Sequence, residues 1–317
     1  MKLPRRISEV IKRKDAWITS REAKLQTTVT QMQEQLLSRM LADILPLLEV
    51  SGGKIRNTLK NYQLLASLDK MYKDFGSVQK LAFVTEIGDT SKGIARLNKN
   101  FFSVSMGSAL PDLFTDILTK TSELLDLRVG LKGGKIVAGS FLEDLIENKP
   151  LLMDLKQYMS RAVAAQIPTK TFIKGVNDMI VGVGDKAGGI EKHINRYAHD
   201  LYMQYDRAYA AQVAEKADMK YFIYLGGKVK DSRDFCVAHD AKVWTTQEAK
   251  SWAKWTPAMG DYPAGYEIKQ KNVNAVPSYL GYDGYSPLID CGGYRCRHHI
   301  GYIMKELAFE MRPDLTE

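Results

Sequence analysis

The sequence predicts an α+β protein, with a mainly helical N-terminal region followed by a small α+β C-terminal module built on short strands. Three observations carry this expectation. Apolar residues recur at steps of three and four through the first two-thirds of the chain. At Lys220 the composition switches to β-branched and aromatic runs punctuated by glycine. All three cysteines, Cys236, Cys291 and Cys296, lie in the last third, together with three of the five histidines, His239, His298 and His299. The expected division is a helical region over 1–184 and a module over 185–317, with a long helix over 190–217 and short strands and a loop over 220–303.

The elements follow in order. Thr19-Ser20-Arg21-Glu22 fits a capping box, in which the Thr19 hydroxyl and the Glu22 carboxylate accept from free backbone N–H groups at a helix start. Leu25, Val29, Met32, Leu36, Met40, Ile44 and Leu47 then form one apolar stripe, with Gln26, Gln33 and Arg39 off it. Pro46 and Gly52-Gly53 end or kink this element. Helical segments follow near 54–74, 77–104, 111–128 and 140–165, and glycines at 130, 133 and 134 mark a break between the last two. Pro111-Asp112 suits a helix first turn, where a missing N–H costs nothing. The glycine-rich stretch from Gly182 to Gly189 is the candidate hinge. It lacks a Gly-Lys-Ser/Thr ending and a β-α-β setting, so no nucleotide site is expected there.

From Ile190 to Ala217 the residues Ile190, Ile194, Tyr197, Leu201, Tyr205, Ala208 and Val213 define one face of a long helix, on which His193 and His199 have no evident catalytic partner. Tyr221-Phe222-Ile223-Tyr224-Leu225, bounded by Gly226-Gly227, predicts a strand, and Val243-Trp244-Thr245 a second. Thr245 or Thr246 then caps a helix through Ala249, Trp252 and Ala253. Residues 256–290 are rich in Gly, Pro, Tyr and Asp. A loop of that length is unusual unless it is functional or pinned.

Composition narrows the function classes. The chain has 317 residues, 45% of them hydrophobic, which is material for a real core. No apolar run approaches the ~18 residues that a membrane-spanning helix needs. The basic start is followed by no apolar leader core, so assembly in a cytosol is expected. A net charge of +8 and a pI of about 9.1 favour polyanionic partners. The densest positive run, Arg5, Arg6, Lys12, Arg13 and Lys14, is the candidate contact for DNA phosphates or a protein partner.

The chemistry-bearing pattern lies in the module. Cys236 and His239 stand three apart, and Cys291, Cys296 and His298 return after a long loop. Two short-spaced pairs of soft ligands joined by a loop are one way in which tetrahedral zinc closes a small domain, so Cys236, His239, Cys291, Cys296 and His298 are candidate ligands. Two other readings stay open at this level: buried unliganded thiols, and a disulfide such as Cys236–Cys296. No other cofactor is expected. Cysteine and histidine three residues apart rarely make a catalytic pair, and no paired-carboxylate or HNH-like pattern accompanies Asp290, His298 and His299. The sequence therefore predicts no enzyme, with a metal-dependent nuclease or a non-virion DNA-binding protein as the alternatives.

The order of motifs from about residue 190 to 303 resembles the C-terminal module of the phage Mu protein F-like head morphogenesis, or minor capsid, family. The helix Arg196 to Ala217, with Tyr205-Asp206-Arg207-Ala208-Tyr209, matches the opening helix, and Tyr221 to Leu225 matches the strand after it. Asp231, Arg233 and Cys236 match an Asp-x-Arg-x-x-Cys motif, and Lys242-Val243-Trp244 the next strand. Gly292, Gly293, Cys296, Arg297 and His298 match the closing motif. Two positions depart from the commoner pattern: His239 stands where a second cysteine often sits, and Cys291 lies upstream of where a His-Pro pair is missing.

The resemblance implies a non-enzymatic virion component present in several copies, assembled in the host cytoplasm and located in the phage head near the portal vertex. Its implied partners are the portal or other head proteins and, through phosphates, double-stranded DNA. The implied role is head morphogenesis, DNA packaging or DNA ejection.

Overall fold

The computed structural model describes residues 5–106, 123, 126, 130–133 and 135–315. The helix expected near 111–128, with its Pro111-Asp112 start, lies almost wholly outside the described residues. The architecture is α+β, with long helices and small antiparallel sheets.

Contacts gather the chain into two compact units that interleave along the sequence. One comprises Met1–Thr19, Thr90–Leu125 and His199–Glu317, and the other Ser20–Asp89 and Asp126–Ala198. These units do not follow the boundary at 184/185. Three of their limits fall inside long helices, α1 (Arg5–Arg39), α2 (Leu59–Met106) and α6 (Gly189–Lys216).

Helix α1 begins at Arg5, not at the Thr19 capping box. Buried Ile7, Ile11 and Ile18 carry the apolar stripe upstream of Leu25, so the helix is already running when it reaches Thr19. Inside a continuous helix the backbone N–H groups are taken by carbonyls one turn earlier, and a capping box has nothing to cap. After α1, a wide turn over Met40–Ile44 and a tight one over Leu45–Leu47 lead into a hairpin, β1 (Val50–Ser51) and β2 (Lys54–Ile55). Gly52 and Gly53 form its two-residue turn with φ of +57° and +74°, values that suit glycine.

Helix α2 is one 48-residue element where two were expected. Gly76 lies within it, and an isolated glycine weakens a helix by about 1 kcal/mol without stopping it. The segment expected over 140–165 is two helices, α3 (Phe141–Glu147) and α4 (Lys149–Ala164), divided at Asn148, whose φ is 38°. Ser140 caps α3 by accepting from the Glu143 N–H, and the Glu143 carboxylate accepts from the Gly139 N–H at 2.8 Å. The stretch read as a hinge forms, after α5 (Thr169–Ile180), a hairpin of β5 (Gly182–Val183) and β6 (Lys186–Ala187). A further hairpin pairs β3 (Leu131–Lys132) with β4 (Lys135–Ile136).

The unit containing residues 199–317 is built on a three-stranded antiparallel sheet. Its central strand is β7 (Tyr221–Leu225), flanked by β8 (Val243–Thr245) and β9 (His299–Ile303). Phe222 pairs with Trp244 on one side and Tyr302 on the other, and Ile223 pairs with Gly301. Strand β9 was not anticipated: all five of its residues are buried, so it lacks the alternation that marks a half-exposed strand. Of the two caps offered by the sequence, Thr245 is the one used, in a capping box with Glu248 that opens α8 (Thr246–Ala249); a tighter turn over Lys250–Lys254 carries Trp252 and Ala253.

Within this unit a buried charge cluster joins three helical segments to β9. Lys14 Nζ lies 2.6 Å from Asp206 Oδ1 and donates to Asn98 Oδ1 at 3.0 Å. Asn98 Nδ2 donates to Asp206 at 2.7 Å, and the other Asp206 oxygen lies 2.8 Å from His299 Nδ1. Asp206 is held well below the usual carboxylate range because, although burial pushes it up, Lys14 and His299 outweigh that effect. Removing Lys14 strands the carboxylate in the interior, which typically costs about 3–5 kcal/mol. Urea unfolding of Lys14→Met should show a loss of that order, whereas Arg13→Ala, on the exposed side of the same turn, should stay within about 0.5 kcal/mol of the parent. Equal stabilities for the two variants would contradict this account.

Candidate functional site

The site grows from the short helix α7 (Asp234–His239), which carries Cys236, and from the tight run between Pro287 and β9, which carries Cys296 and His298. Asp234, buried at the start of α7, fixes the long loop over 256–290. Its Oδ1 accepts from the Tyr266 hydroxyl at 2.7 Å and the Lys269 N–H at 2.9 Å, and its Oδ2 accepts from the Gln270 N–H at 3.0 Å. The loop is therefore pinned, as its length required. The motif carboxylate read from the sequence, Asp231, is exposed, and Asp234 does the anchoring.

Around that frame Cys236, Cys296 and His298 converge. One ligand atom from each lies within 4.8 Å of the others, and all three residues are buried. The two Sγ atoms are 3.9 Å apart with no bond between them, and Cys296 Sγ is 3.8 Å from His298 Nδ1. The Tyr224 hydroxyl, from the central strand, lies 3.2 Å from Cys296 Sγ and 3.6 Å from Cys236 Sγ, and its ring stacks on His298 with centroids 4.3 Å apart. His298 Nε2 faces Asp240 Oδ1 at 3.3 Å, a charge approach more than a straight hydrogen bond.

Two arginines hold the backbone of this run. Arg207 of α6 is fully buried and donates to the carbonyls of His298 at 2.7 Å, Ile289 at 2.8 Å and Cys296. Arg233 donates to the carbonyls of Gly292, at 2.9 Å, and Tyr294, and lies over the Tyr279 ring. Gly292 is needed for space: a Cβ there would fall 2.6 Å from Cys236 Sγ. At Gly293 the φ of +80° and the Tyr279 carbonyl exclude a side chain.

The electrostatics are uneven across the pair of thiols. A hydrogen bond to Cys296, together with burial, pushes Cys236 well above the ordinary thiol range. Burial pushes Cys296 up as well, but the hydrogen bond from Cys236, the Arg207 charge and His298 more than offset it and hold Cys296 well below that range. His298 is raised, since Asp240 and Cys296 outweigh the effect of burial. Asp240 is lowered, because His298, the Gly227 N–H and Lys228 outweigh its burial.

The five candidate ligands thus separate. The structure brings Cys236, Cys296 and His298 together and leaves His239 and Cys291 out of the cluster. His239 packs between Phe235 and Trp244, with ring centroids at 3.9 and 4.6 Å, and its Nδ1 lies 2.7 Å from the Phe235 carbonyl oxygen. Three-residue spacing put His239 near Cys236 but could not show that an aromatic cage claims the ring. Cys291 is buried at a reversed backbone position with φ of 53°, where its carbonyl accepts from the Tyr285 hydroxyl at 2.5 Å. Of the closing motif, Arg297 is exposed. Arg5, Arg6, Lys12 and Arg13 are exposed on α1, whereas Lys14 is buried against Asp206 and is not available to DNA or a partner. Sequence reasoning missed the roles of Arg207, Tyr224 and Asp240. Arg207 and Tyr224 stood inside quoted motifs, but nothing marked them as facing the cysteines.

No family model, no curated protein and no solved structure matches the chain.

The cage around His239 gives a pH signature. Burial pushes its pKa from 6.5 down to about 3, the Phe235 carbonyl only partly opposing, so the folded protein keeps the ring neutral where the unfolded chain protonates it. The unfolded state then binds the extra proton, and stability contributed by the neutral ring is lost as pH falls from about 6.5 towards about 3. The slope is about 1.4 kcal/mol per pH unit for a single proton. Denaturation midpoints measured between pH 7 and 4 should fall less steeply for His239→Phe than for the parent. Parallel curves would contradict the assignment.

Proposed function

We propose that this protein is a minor structural protein of a tailed-phage head, acting near the portal vertex in head morphogenesis, DNA packaging or DNA ejection, without catalysis of its own. One observation carries the reading: the residues of the motif series hold one another. Arg233 binds the backbone at Gly292 and Tyr294, Gly292 leaves room for Cys236, and Cys236 meets Cys296 and His298. Motifs that are far apart in sequence and interdependent in space behave as the signature of one structural module, which is how the Mu F-like resemblance reads them. The cluster is sealed from solvent, which suits holding a fold together better than turning over a polymeric substrate.

The reading also includes non-specific contact with DNA, for which α1 offers a surface. Arg5 and Lys12, and Arg6 and Arg13, are each seven residues apart and so share one side of α1, where all four are exposed. Arg5 is paired with Glu9 at 2.8 Å, which leaves Arg6, Lys12 and Arg13 as the cations suited to phosphate. Such contact would be electrostatic and indifferent to sequence.

Deletion of the gene from its phage tests the role. The expected result is particles with defective packaging or infectivity, restored by the gene supplied in trans. Normal particles with normal infectivity would overturn the reading. DNA contact has its own test: replacing Arg6, Lys12 and Arg13 with alanine should reduce the slope of log affinity against log salt by roughly 0.9 for each lost phosphate contact. An unchanged slope would remove α1 from the DNA-binding surface.

A further inference from the structure

We propose that Cys236, Cys296 and His298 form a zinc site whose fourth corner is the Tyr224 hydroxyl, with Asp240 orienting the imidazole from behind. The inference goes beyond the virion role and stands or falls independently of it.

Two of the donor spacings are those of a coordination shell, and all three donor atoms lie within 4.8 Å of one another. Zinc takes thiolate at ~2.3 Å and imidazole at ~2.0–2.1 Å, so a tetrahedron has sulfur–sulfur edges of about 3.8 Å and sulfur–nitrogen edges of about 3.6 Å. The Cys236–Cys296 distance is 3.9 Å and the Cys296–His298 Nδ1 distance is 3.8 Å. Tyr224 Oη lies 3.2 and 3.6 Å from the two sulfurs, within reach of the fourth corner. The same 3.9 Å is far beyond the ~2.05 Å of a disulfide.

The surroundings fit a ligating histidine. Its Nδ1 faces the sulfur while its Nε2 faces a carboxylate, Asp240, at 3.3 Å. A carboxylate this near the distal ring nitrogen favours the tautomer that carries its proton on Nε2 and leaves Nδ1 free to ligate. Arg207 grips the carbonyls of both Cys296 and His298, so the two ligands on that run are held before any ion arrives. Binding requires both sulfurs as thiolates and Nδ1 unprotonated, so whatever protons these atoms carry pass to solvent, and the two thiolates neutralise the dication in a buried place. Cys291 and His239 take no part, which separates this site from the five-residue pattern visible in the sequence.

The test uses the full-length chain, reduced, stripped of metal and titrated with Co2+. One equivalent per chain should produce tetrahedral visible bands and a thiolate charge-transfer band, both lost on adding Zn2+. Cys291→Ser and His239→Gln should titrate like the parent, and Cys236→Ser and Cys296→Ser should lose the stoichiometric bands. Asp240→Asn should weaken binding roughly 10–100-fold while keeping the spectrum. Where a serine variant fails to fold, His298→Cys decides, because it should stay tetrahedral and strengthen the thiolate band. Absence of a thiolate band in the parent, its retention in a folded Cys296→Ser, or a Cys236–Cys296 disulfide in freshly purified protein would each overturn the proposal.

Discussion

A single buried guanidinium organises the cysteine-bearing end of the molecule. Arg207 donates to the backbone carbonyls of Ile289, Cys296 and His298, which lie on a run too tightly turned to pair its acceptors within a ladder. Without those donors the carbonyls would be buried unmet, and the positions of Cys296 and His298 would be free to drift. The preceding residue faces elsewhere: Asp206 takes Lys14, Asn98 and His299. One turn of α6 therefore carries a positive and a negative charge, each met by a different part of the same unit. That gives a physical reason for the Tyr205-Asp206-Arg207-Ala208-Tyr209 string, beyond its helix propensity.

The aromatic packing has a comparable logic. Tyr224 sits in the central strand with Phe235 and Trp252 edge-on against its ring and His298 stacked on it. Its hydroxyl reaches the two sulfurs, so the apolar core of the sheet and the polar cluster share one side chain. Buried tyrosine normally finds a partner for its hydroxyl, and here the partners are the cysteines.

Much of this was legible before the structure. The strands β7 and β8, the Thr245 cap, the long helix near 190–217 and the meeting of Cys236 with the closing motif all follow from residue type, spacing or motif order. What was not legible depended on distant partners. Lys14 reads as one more cation in a basic run until Asp206 and Asn98 are found beside it. Strand β9 is hidden because His299 and Gly301 interrupt its apolar character while burial is continuous. The capping box at Thr19 and the glycine at position 76 are true local signals, overridden by helices that run on through them. Of the candidate metal ligands named by type and spacing, the structure brings three together. Type and spacing also offered two more, because one-dimensional spacing says nothing about which neighbour claims a ring.

To this self-supporting motif network the proposed function adds a place in a phage particle. Cryo-electron microscopy of particles produced by a host that carries this gene tests that proposed place. The expected density fits the three-stranded sheet and the α6 helix inside the head, beside the portal. Particles whose head and portal density is fully explained by other chains, with this protein absent, would contradict it.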